Sequence, residues 1–205
     1  MPIFCNIIVK YMHLLFALNP KFKFNNNANS NKIMTKNKLP LQYDAVVAAP
    51  FGAVGIYIQG VQVVIELLSE KYPTKTAEHK VAAKVVSQIE AYFSNSRNDF
   101  NLPIVYKGTP FQRRVWQAIS AIACGRVLTY GEIAQQIGSG PRAVANACGA
   151  NNLPLIIPCH RVVAKNGIGG FMSGQQDGVK IKTWLLKHEG ITFKQDKPVR
   201  PLQLG

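Results

Sequence analysis

Residues 129–152 read TYGEIAQQIGSGPRAVANACGANN, two helical patterns separated by a glycine-bearing turn. Thr129 followed three residues later by Glu132 is a capping box, so a helix is expected to follow Thr129, with Ile133 and Ile137 facing inward and Gly138 at its exit. Ser139 and Gly140 turn the chain. Pro141 has no backbone donor to lose and suits the opening of the next helix, PRAVANACGAN. Helix, short turn and helix in this order read as a helix-turn-helix. After Arg142 the second helix offers mainly Ala143, Val144, Ala145, Ala147, Cys148, Gly149 and Ala150, few of which can hydrogen-bond a base edge. Small residues allow close backbone approach instead, which suits binding by shape and backbone contact. An alanine-rich core helix has the same composition, so the rest of the chain has to decide.

On the N-terminal side, Thr109 can cap a further helix with Pro110 at its first position. Phe111, Val115, Ile119 and Ile122 form its apolar stripe, and Gly125 ends it. Further back the texture changes. Tyr43 to Leu68, YDAVVAAPFGAVGIYIQGVQVVIELL, is rich in β-branched residues with glycine or Pro-Phe-Gly at the breaks, which predicts three short antiparallel strands. Thr76 to Phe93 places Val81, Val85, Ile89 and Tyr92 at three- and four-residue steps, an amphipathic helix that can cover one face of that sheet. The chain is therefore expected to be α/β: a small sheet-plus-helix domain over 41–106, a mainly helical domain over 107–193, and a C-terminal tail over 194–205. A length of 205 residues allows two small domains, each with its own core.

Lys and Arg total 24 against 10 Asp and Glu, a formal charge of +14, which favours a polyanionic partner such as nucleic acid or an acidic membrane surface. Residues 1–40 contribute Lys10, Lys21, Lys23, Lys32, Lys36 and Lys38 with no acid. Their Asn- and Lys-rich stretch has little to bury and is expected to be disordered, either an arm or an extension upstream of a start at Met34. The apolar run Tyr11 to Leu18 is too short to span a bilayer and lacks the flanks of a secretion signal, so no membrane role is expected. A second basic concentration is more informative. Lys107, Arg113, Arg114, Arg126, Arg142, Arg161 and Lys165 face the single acid Glu132, which marks 107–165 as the working surface. Cys5, Cys124, Cys148 and Cys159 have wide, unrelated spacings with no zinc-ligand interval, so free thiols, no metal site and a reducing cytoplasm, taken to be bacterial, are expected.

After Asn151 and Asn152 comes LPLIIPCHRVV, read as a buried strand interrupted by Pro158 and followed at once by Cys159, His160 and Arg161. Proline fits poorly inside a paired strand, so Cys159 is expected at a turn or strand end. A thiol with an ordinary pKa near ~8.5 is only slightly ionised at neutral pH and needs a base to act as a nucleophile. His160 is the obvious base. Adjacent strand residues point to opposite faces, so a bridging water is the more plausible route between the two side chains. Glu189, in WLLKHEG, is a candidate to hold the imidazole. By itself a Cys-His pair is more often structural than reactive.

Five ordered motifs supply the context: GTPFQRRVWQAI from Gly108, TYGEIA at 129–134, PRAVANACGANN at 141–152, IPCHRVV at 157–163 and WLLKHEG at 184–190. Together they resemble the O6-alkylguanine-DNA alkyltransferases, the methylated-DNA–protein-cysteine S-methyltransferases, closely from Gly108 to Gly190 and more loosely over Tyr43 to Tyr106. The resemblance implies a ribonuclease H-like first domain and a winged helix-turn-helix-like second one. It implies single-turnover repair of double-stranded DNA, in which an alkyl group on O6 of guanine, with O4-alkylthymine as a second candidate substrate, moves irreversibly to Cys159. It further implies that His160 and Glu189 deprotonate the thiol through a water and that Asn151 bridges the helix-turn-helix to the reactive segment. Tyr130 would crowd the target phosphate, and Arg142 would fill the space of the flipped base. The Val162 carbonyl and the Ser173 amide would read the guanine. No cofactor and no metal are implied, and a monomer is expected. Two departures stand out: the turn Gly138 to Gly140 is short, and FMSGQQDG at 171–178 is longer and more polar than the usual Tyr-Ser-Gly-Gly type of segment, with Met172 where an aromatic often lies.

Three rivals predict other features. An alkyltransferase-like lesion binder would lack the acceptor cysteine. A helix-turn-helix regulator would carry a polar recognition helix. A Cys-His hydrolase would turn over repeatedly and would need an oxyanion hole, for which the sequence has no signal.

Overall fold

The computed structural model describes residues 43–60, 62–102, 107–175, 177–194 and 197–199. The tail expected over 1–40, the domain boundary near residue 106 and much of the stretch 194–205 lie outside them.

The three strands form as their pattern demands, and the helix after them does so in part. Strands β1 (Ala45–Ala49), β2 (Gly52–Gln59) and β3 (Gln62–Leu68) form an antiparallel meander in the order β1-β2-β3, with Ala45 opposite Ile56 and Ile56 opposite Ile65. The β1–β2 turn closes on Gly52, whose φ is positive and where a side chain would collide with the backbone of Leu68 and Ser69, so glycine is required there. Helix α1 (Lys80–Ser94) covers one face with Ala82, Val85, Ile89 and Tyr92. The helix begins later than the periodicity suggested, and Val81 points outward while Ala82 takes the inward place. His79 sets that start by accepting the Val81 amide on its side chain.

Helix α2 (Pro110–Ser120) opens on Thr109, whose capping box with Gln112 is complete on both sides. Strand β4 (Leu128–Thr129) leads into α3 (Tyr130–Gln136), capped by Thr129 and Glu132 as the sequence required. Gly138 leaves with positive φ, and α4 (Pro141–Gly149) follows after a short turn. Strand β5 (Val162–Val163) pairs in parallel with β4, and α5 (Gly178–His188) closes the fold before a two-residue ladder between β6 (Phe193–Lys194) and β7 (Lys197–Pro198).

One expectation fails locally. Residues 153–158 are not a strand: they form turns, Leu155 is left-handed at φ 75, and Cys159–Arg161 makes a single 3-10 turn. Leu153, Leu155 and Ile157 are buried because the turn is packed, not because it is paired. One apolar cluster runs from Val54 and Ile56 of the sheet through Val115, Ile133 and Val144 to Leu185 of α5, and the Ile65 amide donates to the Asn152 carbonyl at 3.0 Å. Among the described residues no helix is long and apolar enough to cross a membrane.

Candidate active site

The 3-10 turn presents Cys159 with its side chain against Asn151. Asn151 leaves the end of α4, and its Nδ2 donates to the Cys159 Sγ at 3.1 Å and to the Ile157 carbonyl at 2.9 Å, while its Oδ1 accepts the Leu153 amide at 2.9 Å. All three bonds tie the C-terminus of α4 to the reactive turn. Burial pushes the Cys159 thiol above its ordinary pKa, against the Asn151 hydrogen bond and the positive charge of Lys182, which pull it down. At rest the group is therefore a thiol that needs a base.

His160 follows in the same turn and is fully buried. Its Nε2 lies 2.8 Å from Glu189 Oε1. An ionised carboxylate can only accept, so the proton sits on Nε2 and Nδ1 keeps its lone pair. Among the described residues Nδ1 is buried with no hydrogen-bond partner. Burial holds the imidazole below its usual pKa despite the neighbouring carboxylate, so the ring is neutral and basic at Nδ1.

Glu189 caps the C-terminus of α5, and its side chain is shut off from solvent. Burial would raise its pKa, but the hydrogen bonds from His160 and Arg161, with the Arg161 charge, outweigh it and hold the carboxyl at about 2. Arg161 reaches it twice, Nε to Oε2 and Nη2 to Oε1, both at 2.9 Å. This bidentate pairing corrects one expectation: Arg161 is committed to the interior and is not part of the basic working surface.

Cys159 also lines an open cavity of about 230 Å³ whose other walls are Tyr130, Ala145, Cys148, Phe171, Met172 and Ser173. Tyr130, the first residue of α3, is half-buried, and its hydroxyl donates to the Gly170 carbonyl at 3.2 Å. Gly169 passes so close that a side chain there would press on the Tyr130 ring. Ser173 is left-handed at φ 53 and donates from Oγ to the Gly149 carbonyl at 3.1 Å, which ties the loop to α4. Arg142 is exposed near the start of α4 and does not line this cavity. Val162 is buried, and its carbonyl accepts from Lys182 Nζ at 2.6 Å.

The structure thus brings two hydrogen-bonded pairs together at one turn, Asn151 with Cys159 and His160 with Glu189, and Tyr130 and Ser173 line the cavity that Cys159 also lines. Sequence reasoning missed Lys182, which is fully buried on α5 and also donates to the Gly170 carbonyl at 3.0 Å. Burial lowers its pKa to about 8, against the pull of the Cys159 and Cys148 thiols. The signal was present: Lys182, Leu186 and Glu189 recur at helical steps of four and three, so the lysine lies on a face with a buried residue at each step. Cys148, pushed up to about 12 by burial, is a second thiol in the cavity wall that the spacing of cysteines did not reveal.

Comparison with known proteins agrees in its placement. Residues 110–191 match the family model for the DNA-binding domain of 6-O-methylguanine DNA methyltransferase. A methylated-DNA–protein-cysteine methyltransferase of Salmonella typhimurium is 52% identical over 85 residues, covering 40% of this chain and 48% of that protein. The constitutive enzyme of that name from Bacillus subtilis is 39% identical over 130 residues, covering 61% of this chain and 78% of the relative. The match thus spans about half the length of the Salmonella relative and more than two thirds of the Bacillus one. Among solved structures, Mycobacterium tuberculosis OGT in complex with DNA superposes with a TM-score of 0.60 at 32% identity, over 71% of this chain and 91% of that one.

Proposed function

Because the chain belongs to the methylated-DNA–protein-cysteine methyltransferase family, we propose that it takes alkyl groups from the O6 atom of guanine in double-stranded DNA and keeps them on Cys159. The observation that carries this reading is a cysteine that lines an open cavity and is followed in the same turn by a neutral imidazole bonded to a buried carboxylate. The DNA-bound relative supports a DNA partner.

In this reading a water bridges the Cys159 thiol to His160 Nδ1, the ring atom left with its lone pair. The proton moves to His160, and Glu189 stabilises the imidazolium that forms. The thiolate attacks the alkyl carbon in line. A carbon–sulfur bond forms, the carbon–O6 bond breaks, and its electron pair leaves with guanine, which takes up a proton. The base has to be outside the helical stack for this geometry, which costs a few kcal/mol, least at a weakened pair. Tyr130 crowds the phosphate, Arg142 fills the vacated space, and the Val162 carbonyl and Ser173 amide read the base. Asn151 holds the acceptor in register with α4. The Val162 carbonyl has a second lone pair beyond the one Lys182 uses, so the two tasks are compatible.

A thioether has no easy exit, so each molecule acts once, as a monomer, and the steps as written need neither metal nor organic cofactor. We assign residues 41–106 to a ribonuclease H-like domain and 107–193 to a winged helix-turn-helix-like one, and place the protein in the bacterial cytoplasm. O4-alkylthymine is a second candidate substrate. The test is stoichiometry. With a duplex bearing one O6-methylguanine in tenfold excess, repair should stop at one lesion per protein, and continued repair would mean hydrolytic turnover instead.

A further inference from the structure

The hydroxyl of Tyr92 is a buried group that the steps above do not use. It comes from α1, the helix on the sheet, yet it donates at 2.9 Å to Glu189 Oε1, the oxygen that also accepts from His160 Nε2 at 2.8 Å. Tyr92 is only 1% exposed. Its carbonyl accepts from His188 Nε2 at 2.8 Å, and its ring meets the His188 ring edge-on at 5.2 Å. Two consecutive residues at the end of α5 therefore grip both the backbone and the hydroxyl of one tyrosine.

We propose that Tyr92 is a positioning residue for the Cys159–His160–Glu189 relay, its hydroxyl fixing Glu189 against His160 and tempering the carboxylate's hold on the imidazolium. The inference rests on the relay reading given above. Oε1 accepts from Tyr92, His160 and Arg161 Nη2. An oxygen shared among three donors is a weaker base than one shared between two, so losing the hydroxyl leaves more negative charge for His160. His160 then protonates at higher pH, which removes the base from the relay over a wider acid range. The other ionisable groups around Tyr92, Glu189 and His160 are Arg161 and Cys159 in the same turn, Lys182 and His188 on α5, and Cys124 after α2. All of them remain when the hydroxyl is removed.

The experiment compares the full chain with Tyr92→Phe and with 3-fluorotyrosine at position 92, a stronger donor of nearly the same shape. His160 is titrated by nitrogen NMR, and single-turnover transfer from an O6-methylguanine duplex is timed across the same pH range. Tyr92→Phe should raise the His160 midpoint by about one pH unit and carry the acid limb of the rate with it, while the fluorinated protein moves both the other way. Superimposable His160 titrations would overturn the proposal. If Tyr92→Phe fails to fold, the fluorinated protein makes the same comparison. Should none of the proteins transfer an alkyl group, the functional reading falls, and the His160 titration still decides the role of Tyr92.

Discussion

The two sides of Cys159 are built differently. On one side, Asn151, His160, Arg161, Glu189 and Tyr92 place polar atoms in the interior and pair nearly all of them at 2.8 to 3.1 Å. On the other, the cavity wall from 170 to 174 contains Met172 and Ser173 at positive φ, a conformation that costs a non-glycine residue energy, and Ser173 and Gly174 are exposed. Buried polar networks have one satisfied arrangement, whereas an exposed loop has many of similar energy. The difference teaches that the side to which proton transfer is assigned in the proposed mechanism is over-determined, while the side assigned to the substrate is free to vary. The departures in FMSGQQDG fall on the variable side.

Substitutions should separate the two sides by size of effect. Cys159→Ala should abolish transfer while DNA binding survives and weakens as salt rises, which a filter-binding titration at several ionic strengths checks. Glu189→Gln should slow single-turnover transfer by about 100-fold or more, and chemical denaturation should show a loss of about 3 kcal/mol from the broken buried pair. The sign of its pH dependence follows from a carboxyl held at about 2 in the fold against an ordinary 4.5. Its stabilisation is complete above pH 4.5 and is lost as pH falls toward 2. The parent's unfolding free energy should therefore decline over that window more steeply than that of Glu189→Gln.

Asn151→Ala leaves the Ile157 carbonyl and the Leu153 amide without their side-chain partner, so a stability loss of about 1–3 kcal/mol and a roughly tenfold slower transfer are expected. Lys182 has the opposite linkage to Glu189. Its pKa falls from 10.5 unfolded to about 8 folded, so the unfolded chain binds more protons between these values and stability rises with pH across them. Lys182→Met should flatten that rise in urea titrations at pH 8 to 10.5. On the cavity wall, Met172→Ala should change stability by no more than about 0.5 kcal/mol and leave methyl transfer within about twofold, while benzyl transfer, timed in parallel, changes more. A large loss of methyl transfer there would erase the contrast between the two sides.

Much of this arrangement was legible in the sequence, for particular reasons. The three strands, the Thr109 cap, the Thr129–Glu132 capping box and the Gly138 exit are local signals, and local hydrogen bonds honour them. Cys159, His160, Asn151 and Glu189 were legible through motif order, and they do converge. What escaped was of two kinds. The run LPLIIP is apolar enough for a strand, but tertiary packing buries it as turns. Arg161 looked like surface charge and Tyr92 like plain core, and Lys182 was missed, because their partners are distant in the chain. Tyr92 meets Glu189 across 97 residues, a pairing that no periodicity encodes.

Peptide mass spectrometry after reaction with a duplex carrying a single O6-methylguanine probes Cys159 most directly. The peptide containing Cys159 should gain the mass of one CH₂ in stoichiometric yield, with the Cys148 and Cys124 peptides unchanged and the duplex guanine restored. An unmodified Cys159 peptide beside restored guanine, or the methyl group found on Cys148, would contradict the assignment of Cys159 as the acceptor.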